Sequence, residues 1–222
     1  MKTSEDLRKI YARLEQMHAW RGWHWWPDGE PFEVIVGAIL VQNTSWTNVE
    51  HALARLREAH ALSVEAMDGL SDEEIEELVR PSGQYRMKAK KLRAFVALVR
   101  EHGGLGCLLS LEAGRLRERL LATWGIGPET ADAIVLYAAK RPAFVIDAYT
   151  QRLMSRLGQG PATTDYGEWQ RFFVERLEPD RDLWARYHAL IVLHCKHLCR
   201  KRAPKCGECL LAEECGFSGA GG

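Results

Sequence analysis

Apolar residues recur along most of this chain at the three- and four-residue spacing of an amphipathic helix. Leu7, Ile10, Tyr11 and Leu14 begin the series, and Phe32, Ile35, Val36 and Ile39 repeat it. Leu92, Phe95, Val96 and Val99 form another stripe, as do Trp169, Phe172 and Phe173. Leu183, Tyr187, Leu190, Ile191 and His194 predict a helix that runs directly into a cysteine-rich tail. Gly and Pro punctuate the chain at 27–31, 81–83, 103–106, 125–128, 141–142 and 158–161. There is no internal repeat and no alternating run of strand length, and low complexity is confined to the Gly-rich end. The pattern predicts an all-α protein with short connections.

At 222 residues the chain can build one core or two small lobes. An apolar fraction of 46% excludes a disordered chain. No apolar run approaches the ~20 residues of a membrane span, so no membrane partner is expected. Lys+Arg and Asp+Glu are balanced at 30 each, and net charge therefore points to no partner. The distribution is more informative, because acids crowd into 72–77 and cations into 86–93 and 196–205. Such separation could present one basic face to a polyanion, although either run alone fits a solvated helix face equally well.

Two stretches carry candidate chemistry. Cys199, Cys206, Cys209 and Cys215 are separated by six, two and five residues, on a loop that includes Arg200, Lys201, Arg202 and Lys205. Four thiolates so close in sequence suit an iron–sulfur cluster or a structural zinc. A disulfide framework is not expected, since no signal-peptide pattern is present and the chain is core-rich. Cys107 and Cys195 are left over and read as small buried residues. The second stretch is the turn Gly125-Ile-Gly127-Pro128-Glu129, where one helix ends and Pro128 suits the first position of the next. Glycines there let a backbone approach phosphate closely. Further on, the apolar run 143–146 ends in Asp147 at the start of another helix, where an acid is also simply a favoured N-cap.

The cysteine spacing resembles that of the endonuclease III family of DNA glycosylases. The hairpin, the Pro-containing loop and Asp147 extend the resemblance to the helix-hairpin-helix glycosylases from about Phe32 to Cys215. The resemblance implies a [4Fe–4S] cluster on Cys199, Cys206, Cys209 and Cys215. It implies two helical lobes with a DNA-binding cleft between them. One lobe would comprise residues 1–30 and 148–222, with the cluster at 199–215; the other, 31–147, would be a helical barrel carrying the hairpin at about 116–139. Asp147 would be the catalytic carboxylate, a group suited to stabilising an oxocarbenium-like sugar and to activating water.

Bifunctional members carry a lysine after the hairpin that forms a Schiff base, and at that place this chain has Glu129. A carboxylate cannot form an imine, so a monofunctional hydrolase is expected. The run from Trp25 to Thr44, with 125–132, is most similar to the 3-methyladenine glycosylases of endonuclease III type, which implies an alkylated purine as substrate. By the same resemblance Trp25, Trp26, Trp46, Asp132 and Tyr149 line the base pocket, where aromatic faces suit a cationic base. Gln42 would enter the duplex where the base has left, and Gln84 would act as a wedge. Gly125, Gly127, Arg200, Lys201, Arg202 and Lys205 would contact the backbone. The expected partner is double-stranded DNA containing a damaged base, bound by a monomer in the cytoplasm on the nucleoid. The rival expectations are a bifunctional glycosylase/lyase for oxidised pyrimidines and a non-catalytic damage-binding protein.

Overall fold

The computed structural model describes residues 3–18 and 29–217. Their regular structure is helical, with no strand among the described residues. The chain divides into two compact units, Met1–Trp25 with Pro142–Gly222, and Trp26–Arg141. The division falls a few residues before the boundary at 147 expected from sequence. The apolar stretch before Asp147 goes with the C-terminal segment because Phe144 stacks on Phe173, with ring centroids 4.0 Å apart.

The Trp26–Arg141 unit is built around α2 (Pro31–Leu40), which starts on a proline and is buried along nearly all its length. A helix apolar on every side belongs in a core. α3 (Trp46–Glu58) is capped by Ser45, α4 (Val64–Gly69) by Ser63, and α5 (Asp72–Val79) by a Ser71/Glu74 capping box. α6 (Tyr85–Glu101) buries the predicted stripe Leu92, Phe95, Val96 and Val99. The short α7 (Leu105–Ser110) occupies part of the expected Gly103–Gly106 break. Cys107 on that helix is exposed, not buried as expected, because one and a half turns on the surface cover only one face. α8 (Ala113–Leu121) and α9 (Pro128–Ala133) form the hairpin, and α9 continues into a π-helical turn at Ile134–Ala138 that packs on α2.

The acidic and basic runs of this unit do not form separate poles. Arg93 pairs with Asp72 at 2.8 Å and Arg86 with Glu76 at 3.6 Å. Arg93 also donates to the carbonyls of Met67 and Asp68, at 3.0 and 3.2 Å, near the end of α4. Much of the charge expected on a polyanion-facing surface therefore joins α5 to α6.

In the other unit α1 (Ser4–His18) packs on α12 (Arg181–His197), and α10 (Ala148–Arg156) packs on α12 as well. Tyr187 of α12 donates its hydroxyl to the Leu7 carbonyl at 2.9 Å. α11 (Tyr166–Val174) contributes Trp169, Phe172 and Phe173 to an aromatic core that includes Phe144, Trp184 and Tyr187. Each of α10, α11 and α12 starts on an aspartate whose side chain accepts from the first turn.

Candidate functional site

Asp147 has extended backbone geometry and caps α10, its Oδ1 accepting the Thr150 N–H at 2.7 Å. Its side chain is 13% exposed, and Oδ2 lies 3.6 Å from Nε2 of His188 on α12. Burial raises the carboxyl pKa, but the neighbouring His188 imidazole, together with the Thr150 cap, outweighs burial and leaves it below the usual aspartate value. The acid is thus held ionised while keeping some access to solvent. Tyr149, in the first turn of α10, is half-buried with Arg152 over its ring at 5.0 Å. Burial and then the Asp147 charge raise its phenol pKa.

In the hairpin, Gly125 has φ +81 and lies against α6, where a Cβ would stand 2.5 Å from Cγ of Lys91. Only glycine suits that position on both counts. Gly127 has φ −90, and a Cβ there would meet nothing within 4 Å. Glycine is needed at 125 for packing, whereas 127 is simply open surface. Glu129 sits exposed in the first turn of α9, and Trp124, beside Gly125, is 52% exposed.

Gln42 is tied to this hairpin: its Oε1 accepts from Lys91 Nζ and its Nε2 donates to Thr130 Oγ1 at 3.1 Å. These two bonds fix which end of the amide faces which partner. Gln84 is exposed and left-handed, with φ +47, immediately before α6. The turn preceding it is anchored from below by the buried Lys88, whose Nζ donates to the Ser82 carbonyl at 2.5 Å. Burial, then the charge of Lys91, lowers the Lys88 pKa to about 8.

Of the expected base-pocket residues, Trp25 and Trp26 lie outside the described residues. Trp46 is half-buried at the start of α3. Asp132 is fully buried in the hairpin unit, where Arg117 of α8 donates to both its oxygens at 2.7 and 3.1 Å. A buried acid with such a fork partner is accounted for by the fold alone.

Cys199, Cys206, Cys209 and Cys215 line one cavity with Leu153, Leu157 and Leu211. Arg156 organises its rim, donating to Cys199 Sγ at 3.2 Å and to the Arg200 and Lys201 carbonyls at 2.9 and 3.2 Å. The bond from Cys195 and the Arg156 charge lower the Cys199 pKa, opposed by burial. Cys195, by contrast, is buried and has its pKa driven up. Among the described residues no three His, Cys, Asp or Glu side chains converge as they would on one ion. A tetrahedral zinc needs its sulfurs about 2.3 Å from a single point. Four thiols lining one apolar cavity are the donor set that a thiolate-held group, iron–sulfur cluster included, requires. Arg200, Lys201, Arg202 and Lys205 are exposed on the loop, with Lys205 3.4 Å from Glu208.

The sequence did not single out His188, Lys91, Thr130 or Arg117. His188 falls on the same helix face as Trp184 and Ile191 and reads as one more core position. The others belong to patterns that are ordinary for a helix surface.

Comparison with known proteins bears on this geometry. A family model described as HhH-GPD superfamily base excision DNA repair protein matches residues 36–179. A Methanocaldococcus jannaschii protein named as a DNA repair glycosylase is 40% identical over 214 residues, covering 95% of this chain and 96% of its own. The solved structure of the H. pylori 3-methyladenine DNA glycosylase bound to 1,N6-ethenoadenine superposes with a TM-score of 0.74 at 27% identity, covering 86% of this chain and 97% of that one. A trapped endonuclease III–DNA covalent intermediate gives 0.82 at 22% identity, over 99% of both chains, a likeness of fold.

Proposed function

The chain belongs to the HhH-GPD superfamily of base excision DNA repair proteins, and from that premise we propose that this DNA glycosylase is monofunctional, releasing a flipped alkylated purine and leaving the strand uncut. The observation that carries the reading is Glu129, an exposed acid in the first turn of α9 at the place where the bifunctional relatives bear their lysine. An acid offers no amine to C1′, so no imine forms at that position.

Base release then follows from Asp147. The target nucleotide leaves the stack, since its sugar cannot be reached within the duplex. The C1′–N bond breaks with its electron pair going to the base, which departs neutral if alkylation had already made it cationic. Positive charge builds on the sugar, and the ionised Asp147 carboxylate stabilises it. Water adds at C1′ and gives up its proton to the same carboxylate. Trp46 and Tyr149, with Trp25 and Trp26, are the aromatic groups assigned to the departing base. The likeness to the H. pylori 3-methyladenine glycosylase supports the choice of substrate.

Gln42 and Gln84 are assigned to the gap left in the duplex. Cys199, Cys206, Cys209 and Cys215 would hold a [4Fe–4S] cluster, which would supply a rigid clip for the basic loop and no chemistry at the sugar. Arg200, Lys201, Arg202 and Lys205 would then meet phosphates with salt-dependent, sequence-independent affinity.

The test is base release from duplexes carrying alkylated, oxidised, deaminated or mismatched bases, paired with borohydride trapping on abasic DNA. Release of 3-methyladenine with no trapped adduct is expected, and Asp147→Asn should abolish it at nearly unchanged DNA affinity. A robust covalent adduct would sink the monofunctional reading. Silence across the whole panel would favour a damage-binding protein instead.

A further inference from the structure

The two oxygens of Asp147 are held in different ways. Oδ1 is taken by the cap bond from Thr150. Oδ2 faces α12, where His188 Nε2 stands 3.6 Å away at ion-pair distance. The imidazole is buried, its side chain 8% exposed, and sits on a helix whose neighbouring residues Tyr187, Ala189, Leu190 and Ile191 are all buried. Burying a polar ring there is unfavourable unless it meets a partner, and a leucine or phenylalanine would fill the same space without that cost. α10 and α12 pack directly on each other, so helix packing and not a loop sets the separation.

We propose that His188 is a positioning residue for base release, holding the Asp147 carboxylate on the side that the helix cap leaves free and so fixing the plane of the reacting group. The inference rests on the reading of Asp147 as the catalytic carboxylate. A cap bond alone constrains one oxygen and leaves the carboxylate free to rock about it. A second contact on the other oxygen removes that freedom. An ionised carboxylate has about four lone-pair sites and the cap bond takes one on Oδ1, so Oδ2, steadied by the imidazole 3.6 Å away, keeps its own for sugar and water. Catalytic groups misplaced by ~1 Å can lose about 100-fold in rate.

The electrostatics point the same way. Burial alone would raise the Asp147 carboxyl pKa, and His188 is the strongest of the groups opposing it. Other titratable groups beside Asp147 are Tyr149 on α10, whose ring carries Arg152, and Cys195 on α12. On α1, which packs against α12, the candidates are engaged elsewhere: Tyr11 bonds Glu15, Glu15 pairs with Arg186, and His18 bonds His194.

The experiment compares wild type, His188→Phe and His188→Gln in the full chain, with carbon-13 NMR titration of the Asp147 carboxyl assigned through Asp147→Asn. Single-turnover release of 3-methyladenine from methylated duplex is followed against pH. In His188→Phe the Asp147 titration and the acid limb of the rate profile should both move to higher pH, and the neutral rate should fall about 10- to 100-fold at unchanged DNA affinity. His188→Gln, which keeps an N–H donor, should recover most of the rate. It also keeps the test decisive if the phenylalanine variant folds poorly. A carboxyl and an acid limb that stay at wild-type pH in both variants would overturn the proposal and reduce His188 to packing. Because the titration needs no substrate, that failure is separable from failure of the enzymatic reading, in which the wild type itself releases no base.

Discussion

Replacing Gly125 by alanine should destabilise the hairpin unit far more than the same change at Gly127, and the structure fixes the difference. At Gly125 the backbone has φ +81, a left-handed conformation that costs a side-chain-bearing residue ~1–2 kcal/mol. The new Cβ would also lie 2.5 Å from Cγ of Lys91 and 3.0 Å from its Cδ and Cε. The lysine stem must swing away, and its bond to Gln42 goes with it. A charge-assisted bond of this kind contributes about 1.5–3 kcal/mol, and the lower end applies because Lys91 is only half-buried. The total is roughly 2–4 kcal/mol, or about 5–15 °C in Tm for a chain of this length. At Gly127 φ is −90 and a Cβ meets nothing within 4 Å, so the change should stay within ~0.5 kcal/mol. Urea and thermal melts measure both variants, and a double-mutant cycle with Lys91→Ala isolates the contact. With the lysine stem gone, Gly125→Ala should cost only its backbone share, leaving a coupling of about 1–2 kcal/mol. Equal losses at the two glycines, or strict additivity with Lys91→Ala, would refute the reasoning.

Three further outcomes are expected. Arg117→Met leaves the fully buried Asp132 carboxylate without its fork partner and should cost ~3 kcal/mol or more, whereas Arg117→Met with Asp132→Leu should recover much of it in denaturant melts. Lys88 keeps its proton to about pH 8 in the folded state against an ordinary 10.5, so the unfolded chain binds more protons between those values and stability should climb with pH there. The full penalty, at most roughly 3 kcal/mol, applies below pH 8, and Lys88→Met should flatten that slope; an unchanged slope would mean that the buried amine is not its source. Cys206→Ser should remove the visible absorbance of a cluster and loosen the C-terminal segment, and an unchanged spectrum would strike Cys206 from the ligand set.

Local features were legible because their causes are local. The stripes at Leu7–Leu14, Phe32–Ile39 and Leu92–Val99 became α1, α2 and α6, since helical spacing alone decides which face is buried. The hairpin was readable from Gly-Ile-Gly-Pro, and the cap of α10 from an acid after an apolar run. Whatever depends on two elements meeting was not legible. Arg86 and Arg93 looked like part of a basic face and turned out to bind α5, because nothing within α6 announces which helix lies beside it. Lys91 with Gln42, Arg117 with Asp132, and His188 with Asp147 are pairs distant in sequence whose members each look unremarkable alone. Cys107 misled for a related reason: residue type suggested burial, but its short helix lies on the surface.

The cap and the proposed catalytic role of Asp147 call on the same physics. An N-cap acid is favoured because the free N–H groups of the first turn, and the positive end of the helix, stabilise its charged form. A carboxylate meant to face a developing cation needs the same thing, since burial would otherwise push it toward the neutral acid. If Asp147 is the reacting carboxylate, as proposed, starting α10 there solves a folding problem and a chemical one together, with His188 opposing the effect of burial. Asparagine serves as an N-cap about as well as aspartate, so Asp147→Asn keeps the helix start and removes the charge. Alanine would remove both. If the carboxylate were only a cap, the asparagine variant would behave as wild type in every assay; loss of base release in a protein that still folds and binds DNA leaves the charge itself as the working part.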